Sequence, residues 1–373
     1  MPDLHIVQIA DVIVNYSLRL KPGETLLIRA ESVAEPLIKE TYRAALKAGA
    51  RVATQIGLPG MGKIFMDEAN DDQINWISPL YKMAAEEFDA FLAIQADSNT
   101  REGTHFDPEK QAKLSKVNQP TRDLFMKRAA EGKLKWCVTL FPTNAHAQDA
   151  DMALEDYTNF VFDACLPDKN DPIGFWKRIE TSQNRLIEFL NTVKEIRLIA
   201  PDTDLRVNVE GRTWINCCGH ENFPDGEVFT GPVETKTEGH VRFTYPAIHN
   251  AQEVINARLW FEKGRVVKAT ADKGEGFLND MLNRDEGARV LGEFAIGTNP
   301  GIQQFTRNTL FDEKIKGTVH MAVGMSYPES GGVNQSQIHW DMVCDMRNGG
   351  KLYADGKLIY KEGAFTVNFD GEQ

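Results

Sequence analysis

Residues 25–56 read TLLIRAESVAEPLIKETYRAALKAGARVATQI, and this stretch decides the fold class. Residues 25–28 form a short apolar run, which is typical of a buried strand. Ser32 with Glu35 three residues later has the pattern of a capping box and predicts the start of a helix. Residues 52–56 then predict a second strand. A strand, a helix and a strand in succession favour a parallel pair joined by a crossover helix.

The same alternation continues on both sides of this stretch. Residues 6–18 predict an opening helix, residues 90–94 and 136–141 predict further apolar strands, and residues 108–131 predict a polar helix. A long helix is expected to follow, with Pro172 at its first position. Near-continuously apolar strands separated by helices indicate a sheet covered on both faces. We therefore predict an α/β fold whose N-terminal part is doubly wound, mostly parallel, with helices on both faces.

Beyond residue 200 the pattern changes to alternating apolar and polar residues. Hairpins are predicted around residues 263–264 and 355–356, where Lys-Gly and Asp-Gly dipeptides interrupt such runs. One helix is predicted near residues 276–290. We predict two domains: an N-terminal α/β domain at residues 1–200, and a C-terminal α+β domain rich in antiparallel strands at residues 201–373, which would be the metal-binding catalytic domain.

Composition limits the classes of function. The 373 residues carry a formal net charge of −12, which argues against a nucleic-acid or anionic-membrane partner. No apolar run approaches the roughly 20 residues of a membrane span. The start of the chain has no basic segment before an apolar one, so we expect no signal peptide. The five irregularly spaced cysteines indicate free thiols and a cytoplasmic location.

Residues 57–64, GLPGMGKI, fit the phosphate-cradle pattern G-x-x-x-x-G-K directly after a predicted strand. Ile64 stands where the pattern requires a magnesium-binding hydroxyl, and Pro59 removes a backbone donor. We interpret the segment as an ordinary loop at a strand end. A non-enzymatic nucleotide-binding or sensor protein built on this loop stays open as an alternative.

Residues 217–220, CCGH, are a second candidate motif. Adjacent cysteines cannot easily place both sulfurs on one tetrahedral ion, and the C-x-x-C spacing of zinc sites is absent. Buried small hydrophobic residues are the better interpretation of both cysteines.

A third set of residues carries the strongest chemistry. Carboxylates and imidazoles recur through the last part of the chain, most of them within apolar segments where an unpaired charge is expensive. His339 and Asp341 are two residues apart, hence on one face of a strand. Such side chains are ligands for zinc, manganese or cobalt. Six are too many for one catalytic ion and suit two ions that share a carboxylate. The set is Glu227, Glu293, Glu313, His320, His339 and Asp341.

Five segments in this order resemble the two-metal "thermophilic" aminopeptidases of the AmpS, AmpT and PepS type. The N-terminal segments KPGETLLI and AALKAGA are similar as well, so the resemblance spans most of the chain. The five segments are NFPDGEVFTGP at 222–232, GEFAIGTNP at 292–300, LFDE at 310–313, HMAVGMSYP at 320–328 and IHWD at 338–341.

The resemblance implies a metallo-aminopeptidase that hydrolyses N-terminal residues from peptides with a free N-terminus. It implies two divalent ions (zinc, cobalt or manganese) and a homodimer. Glu227 matches the first ligand and Glu293 the ligand that bridges both ions. Tyr327 matches a tyrosine that faces the substrate and can donate to the oxyanion. Glu293 is also the predicted catalytic carboxylate, although Glu227 is an open alternative for carrying the proton. The remaining ligands are Glu313, His320, His339 and Asp341.

The sequence departs from the family pattern at two places. Glu313 and His320 are seven residues apart, a slightly longer link than the resemblance implies. The loop between Tyr327 and His339 is short, which could alter specificity.

A mononuclear iron ring-cleaving dioxygenase of similar fold is the alternative enzyme class. His320, His339 and Asp341 would suffice as its facial triad. A one-iron enzyme has no need for Glu227 and Glu293, which favours the peptidase.

Overall fold

A computed structural model describes residues 3–249 and 252–369. The chain forms two compact units. The first runs to Ile173 and includes Gly219–Pro224. The second consists of Gly174–Cys218 and the chain from Asp225 onward. Within the described ranges, no helix has both the length and the apolar character that a membrane span requires.

Helices and strands alternate in the first part of the chain, and strands predominate afterwards. The helices are α1 Leu4–Val12, α2 Glu35–Lys47, α3 Met61–Glu68, α4 Asp71–Asn75, α5 Pro79–Glu87, α6 Pro108–Ala130, α7 Asn144–Asp149, α8 Leu154–Cys165, α9 Pro172–Leu190, α10 Glu275–Leu282 and α11 Thr309–Asp312. The strands are β1 Thr25–Glu31, β2 Arg51–Gly57, β3 Ala90–Gln95, β4 Lys135–Leu140, β5 Glu195–Ala200, β6 Thr203–Asn208, β7 Ile215–Cys217, β8 Asn222–Phe223, β9 Glu227–Thr230, β10 Thr237–Arg242, β11 Ala247–His249, β12 Gln252–Val254, β13 Arg258–Glu262, β14 Arg265–Thr270, β15 Leu291–Gly297, β16 Thr318–Gly324, β17 His339–Asp345, β18 Lys351–Ala354, β19 Lys357–Lys361 and β20 Ala364–Phe365.

The first unit contains a parallel sheet in the order β2-β1-β3-β4-β8. Leu26 lies between Val52 of β2 and Ala90 of β3, and every neighbouring pair in this sheet is parallel. Leu26 and Leu92 are fully buried, as expected of strands enclosed between helices. The predicted doubly wound parallel sheet is confirmed.

The start of α2 differs from the prediction. Ser32 does not cap the helix, because residues Ser32–Ala34 form a 3₁₀ turn and the helix begins at Glu35. The residue before it, Ala34, offers no side-chain hydrogen bond. The capping box predicted for Ser32 and Glu35 is therefore wrong. Pro36 still lies in the first turn, where a missing N–H has no consequence.

The second unit is antiparallel throughout its described ladders. One sheet has the order β14-β13-β10-β6-β5-β18-β19-β20, a second has the order β17-β16-β15-β9-β7, and β11 pairs with β12. Both predicted hairpins form, and each central dipeptide, Lys263-Gly264 and Asp355-Gly356, has positive φ at both residues. The helix predicted near 276–290 is shorter: α10 ends at Leu282, and a 3₁₀ turn at Gly287–Arg289 follows.

The sheet β17-β16-β15-β9-β7 has one apolar face. Phe294 and Ile296 of β15, Met321 of β16, and Trp340 and Met342 of β17 lie in the hydrophobic core of this unit. Because side chains alternate along a strand, the residues between them face the opposite side. That opposite side carries the polar residues predicted from the sequence.

Candidate metal centre

Strand register places five of the six predicted residues on one face of the sheet β17-β16-β15-β9-β7. Glu227 of β9 pairs with Gly297 of β15, and Ala322 of β16 lies between Glu293 of β15 and Asp341 of β17. Residues two apart share a face, so each strand contributes alternate positions to the same surface. This surface carries Glu227, Glu293, His320, His339 and Asp341.

A bulge in β15 directs Glu293 to that surface. Leu291 pairs with Val323 and Glu293 pairs with Ala322, so Gly292 is an extra residue in the ladder. A regular strand would place Leu291 and Glu293 on the same face, but Leu291 is part of the apolar core. A Cβ at position 292 would collide with the carbonyl oxygen of Gly324. Glycine at 292 therefore permits the bulge that separates the carboxylate from the core.

The sixth residue, Glu313, reaches the same surface from the end of α11. The backbone after α11 runs beside the residues that follow β15, since Asn299 N–H donates to the carbonyl of Lys314 at 3.1 Å. A Cβ on Gly297 would collide with the carbonyl oxygen of Ile315. Glycine at 297 thus leaves room for the segment that carries Glu313.

The six side chains form two groups of three. The donor atoms of Glu227, Glu313 and His320 lie within 4.8 Å of one another, and so do those of Glu293, His339 and Asp341. Oε1 of Glu293 lies 3.1 Å from Nε2 of His320, and its Oε2 lies 3.5 Å from Nε2 of His339. Glu293 therefore contacts an imidazole of each group through a different oxygen.

Several donor atoms of these groups are buried without a hydrogen bond. They are Oε2 of Glu227, Nδ1 of His320 and Oδ1 of Asp341. Oε2 of Glu227 lies 3.3 Å from Nε2 of His320, an ion-pair contact that does not have hydrogen-bond geometry. Unpaired polar atoms in such a place are costly unless a ligand satisfies them. Carboxylate oxygens and imidazole nitrogens that converge in this way fit divalent zinc, manganese or cobalt.

The ring of His339 is oriented by the backbone. Its Nδ1 lies 2.8 Å from the carbonyl oxygen of Met325, which makes Nδ1 the donor and leaves Nε2 as the free nitrogen. Nε2 points to Oε2 of Glu293 and Oδ1 of Asp341, at 3.5 Å from each. A backbone carbonyl that fixes the tautomer is the usual outer partner of a metal-binding histidine.

The side chains of this surface together favour positive charge on its imidazoles. Burial would lower the pKa of His320, but Glu227 and Glu293 raise it to about 9. Burial would also lower the pKa of His339, but Asp341 and Glu293 raise it to about 10. Burial raises the pKa of Glu313 to about 8. Strongly shifted groups gathered on one surface are typical of a functional site.

Asp341 shows the opposite behaviour. Burial would raise the pKa of the Asp341 carboxyl, but the imidazoles of His339 and His320 hold it well below its usual range. This carboxylate therefore stays ionised over the whole neutral range.

Lys314 belongs to the centre and was missed by the sequence reasoning. Its side chain is only 1% exposed, and Nζ lies 2.8 Å from Oε2 of Glu313 and 3.3 Å from Oε1 of Glu227. Asp225, also 1% exposed, acts on the same ammonium. Burial would lower the pKa of Lys314, but Glu227, Glu313 and Asp225 raise it well above its usual value. The only sequence signal was a lysine between residues that prove buried, Phe311 and Ile315.

Tyr327 stands at the edge of the second group. Its ring centroid is 4.9 Å from that of His339 and 5.6 Å from that of Phe229. Burial raises the pKa of the phenol, and the carboxylates of Glu293 and Asp341 add to the effect. The hydroxyl therefore keeps its proton and is available as a donor.

The glycine-rich loop after β2 does not resemble a phosphate site. Nζ of Lys63 pairs with Oδ2 of Asp67 at 2.7 Å along α3. The carboxylate of Glu102 lies beside Gly60 and Gly62, with oxygens 3.9 and 3.6 Å from where Cβ atoms would be. A carboxylate at that place would repel a phosphate.

Cys217 faces the centre from β7, where it pairs with Glu227. Its sulfur lies within 4.8 Å of carboxylate oxygens of Asp225 and Glu227. Burial raises the pKa of the Cys217 thiol well above its usual value, and the two carboxylates add to this.

Buried carboxylates and imidazoles gathered on one sheet face define the protein as a metal-dependent enzyme. The family model described as thermophilic metalloprotease (M29) matches residues 3–365, and the chain belongs to this family. The chain is 27% identical to "Aminopeptidase 2" of Geobacillus stearothermophilus, over 90% of each chain. The resemblance drawn from the five segments is confirmed, and so is the prediction of a metal-dependent aminopeptidase.

Solved structures support the fold. Wild-type AmpT from Thermus thermophilus matches with a TM-score of 0.84 at 24% identity, covering 97% of this chain and 99% of that one. A 2,5-dihydroxypyridine dioxygenase from Pseudomonas putida KT2440 matches with a TM-score of 0.63 at 14% identity, covering 98% of each. The second likeness shows that the fold is shared with a dioxygenase. Family membership favours the peptidase over that alternative.

Proposed function

We propose that the protein removes N-terminal residues from peptides by means of a water activated between two divalent cations. The observation that carries this proposal is the position of Glu293, which contacts the imidazoles of both ligand groups through separate oxygens. A carboxylate in that position suits a bridge between two ions. In this proposal residues 201–373 form the catalytic domain and residues 1–200 the α/β domain, whose last part, residues 174–200, packs within the second compact unit.

Each group of three would hold one cation, with Glu293 shared. Bound cations of this kind lower the pKa of a water molecule toward neutrality and polarise a carbonyl. The assignment uses Oε2 of Glu227 and Oδ1 of Asp341, two carboxylate oxygens that are buried without a hydrogen bond. The first position would use Glu227, Glu313 and His320, and the second Glu293, His339 and Asp341.

Tyr327 and Glu293 are the proposed catalytic residues of the chain itself. The Tyr327 ring packs against the ring of His339, and its hydroxyl keeps its proton, so we assign this hydroxyl as the donor to the oxyanion that develops on the scissile carbonyl. Glu293 is the proposed catalytic carboxylate because its two oxygens contact the imidazoles of both groups, which places it beside the expected position of the attacking water. Glu227 remains the alternative carrier, since its Oε2 also lies at the centre.

Metal removal tests the proposal directly. Protein stripped with a chelator should lose hydrolysis of aminoacyl-nitroanilides and regain it with zinc, cobalt or manganese. Elemental analysis of the active protein should find close to two ions per chain. Activity that is indifferent to chelation would overturn the peptidase mechanism, and a single bound iron would point to the dioxygenase instead.

Two further expectations accompany this function. We propose a homodimer, as the family resemblance implies, and analytical ultracentrifugation of the purified protein tests it. We also propose a cytoplasmic location, consistent with the five free cysteines. Fractionation of cells that express the protein tests the location.

A further inference from the structure

Lys314 distinguishes one ligand group from the other. Its ammonium contacts Oε1 of Glu227 and Oε2 of Glu313, and its side chain is almost fully buried. The other oxygen of Glu227, Oε2, faces His320 at 3.3 Å. The lysine thus engages one oxygen of this glutamate and leaves the other for a cation.

The backbone of Lys314 is fixed on both sides. Its N–H donates to the carbonyl of Phe311 at 3.0 Å, and its carbonyl accepts from the N–H of Asn299 at 3.1 Å. Phe311 is itself fully buried. The ammonium is therefore carried by an anchored backbone segment and lies between Oε1 of Glu227 and Oε2 of Glu313.

The second group has no equivalent cation. Among the residues that the structure describes, the ion-pair partners of Glu293 and Asp341 are the imidazoles of His320 and His339. An imidazole can release its proton and bind a metal through the same nitrogen, whereas an ammonium has no acceptor and stays a competing charge. The two groups therefore offer different electrostatic environments to otherwise similar ions.

We propose that Lys314 is a positioning residue that makes the two cation positions unequal. It holds Glu227 and Glu313 by one oxygen each and offsets part of their charge. The ion at Glu227, Glu313 and His320 is consequently the weaker one and the first to leave, while the ion at Glu293, His339 and Asp341 is retained. This inference rests on the two-ion centre of the proposed function, and it adds an order of loading to that centre.

Metal binding to the whole protein tests the inference without reference to activity. Chelator-stripped wild type is titrated with zinc in a calorimeter, and bound zinc is counted by elemental analysis. We expect two affinities that differ by at least roughly tenfold, because an ammonium beside two ligands repels a cation strongly in a buried site. Lys314→Gln keeps a hydrogen-bond donor and removes the charge. It should raise the zinc affinity of the weaker position by about the same roughly tenfold factor.

A matched control is available two residues away. Lys316 is exposed, and Lys316→Gln makes the same change in net charge outside the centre. It should leave both affinities as in wild type. An equal effect of the two variants, or no effect of Lys314→Gln, would overturn the role of Lys314.

The identity of the weaker position is tested by Glu313→Gln. In this variant zinc binding at the weaker position should disappear, while binding at the tighter position should remain. Loss of the tighter binding instead would contradict the assignment. Should Lys314→Gln not fold, dialysis of wild type against graded chelator decides instead: a plateau near one ion per chain is expected, and release of both ions in a single step overturns the inference. Saturation at one ion would show that the two-ion centre itself is wrong.

Discussion

Carboxylates and imidazoles meet in both units of the chain, but under different conditions. In the first unit, Asp97 after β3 pairs with His146 of α7, with Oδ2 and Nε2 3.0 Å apart. Asp97 is 55% exposed at its side chain, and Thr143 lies 3.3 Å from the other ring nitrogen. In the second unit, Glu293 and His320 pair at 3.1 Å with both side chains almost fully buried.

The difference between these pairs shows which property marks a site. The bond from His146 lowers the pKa of Asp97, and both groups find ordinary partners, so the pair is a local structural contact. The second-unit surface keeps donor atoms of Glu227, His320 and Asp341 buried and unbonded. Residue types alone do not distinguish the structural pair from the candidate site. Burial, together with polar atoms that have no hydrogen-bond partner, does distinguish them.

Replacing one carboxylate of each pair should give the largest difference in metal content and activity between the two units. Glu293→Gln removes the negative charge shared by both groups, so we expect loss of two-ion occupancy. Activity should fall by more than the roughly 10–100-fold that loss of an outer partner causes. Elemental analysis and nitroanilide hydrolysis measure both. Asp97→Asn is the matched control and should keep metal content and activity; equal metal loss in both variants would contradict the contrast.

Tyr327→Phe should have the next largest effect. It removes a donor to the oxyanion, so we expect kcat to fall by roughly 10²–10³-fold with metal content unchanged. Tyr353→Phe, in β18, makes the same chemical change away from the centre and should behave as wild type. Unchanged turnover in Tyr327→Phe would show that its hydroxyl has no part in the reaction.

The second unit should also respond to pH in a way that depends on metal. In the stripped protein the pKa of His320 is raised from 6.5 to about 9 and that of His339 to about 10. A raised histidine pKa contributes stability that is complete below pH 6.5 and is lost as pH rises through the folded value. The raised pKa of Glu313, about 8, acts in the same direction. The melting temperature of stripped protein should therefore fall between pH 6.5 and 9.

Added zinc should change that response. Cations displace the protons of both histidines, so the stabilisation by metal should grow over the same pH range. Thermal unfolding of stripped and zinc-loaded protein at each pH measures the difference. A melting temperature of stripped protein that rises from pH 6.5 to 9 would show that these imidazoles are not held protonated by the carboxylates.

Local patterns predicted much of the fold and of the centre. Apolar runs predicted the strands of the parallel sheet, and Gly-containing dipeptides predicted both hairpins, because strands and turns depend on residues close in sequence. The two-residue spacing of His339 and Asp341 placed them on one face for the same reason. These features need no knowledge of which distant segment packs against them.

Other features depend on distant neighbours and could not be read from local patterns. The bulge at Gly292 is set by the close approach of Gly324 in the next strand. The burial of Lys314 depends on Glu227, far away in the chain, since a lysine is expected at the surface. The capping pattern at Ser32 was a local signal that the 3₁₀ turn before α2 overrode.

The smallest effect is expected at the glycine-rich loop of the first unit, where a phosphate site would require a free lysine. Lys63 is instead paired with Asp67 on an exposed helix, and Glu102 adds negative charge beside Gly60. We expect ATP to leave the melting temperature unchanged, and Lys63→Ala to destabilise the protein by at most about 0.5 kcal/mol, the usual contribution of an exposed i,i+4 pair. A thermal-shift titration measures the first and urea unfolding the second. Stabilisation by ATP that disappears in Lys63→Ala would revive the nucleotide-binding alternative, and it would show that the first unit also contains a ligand site despite the exposure of its charged groups.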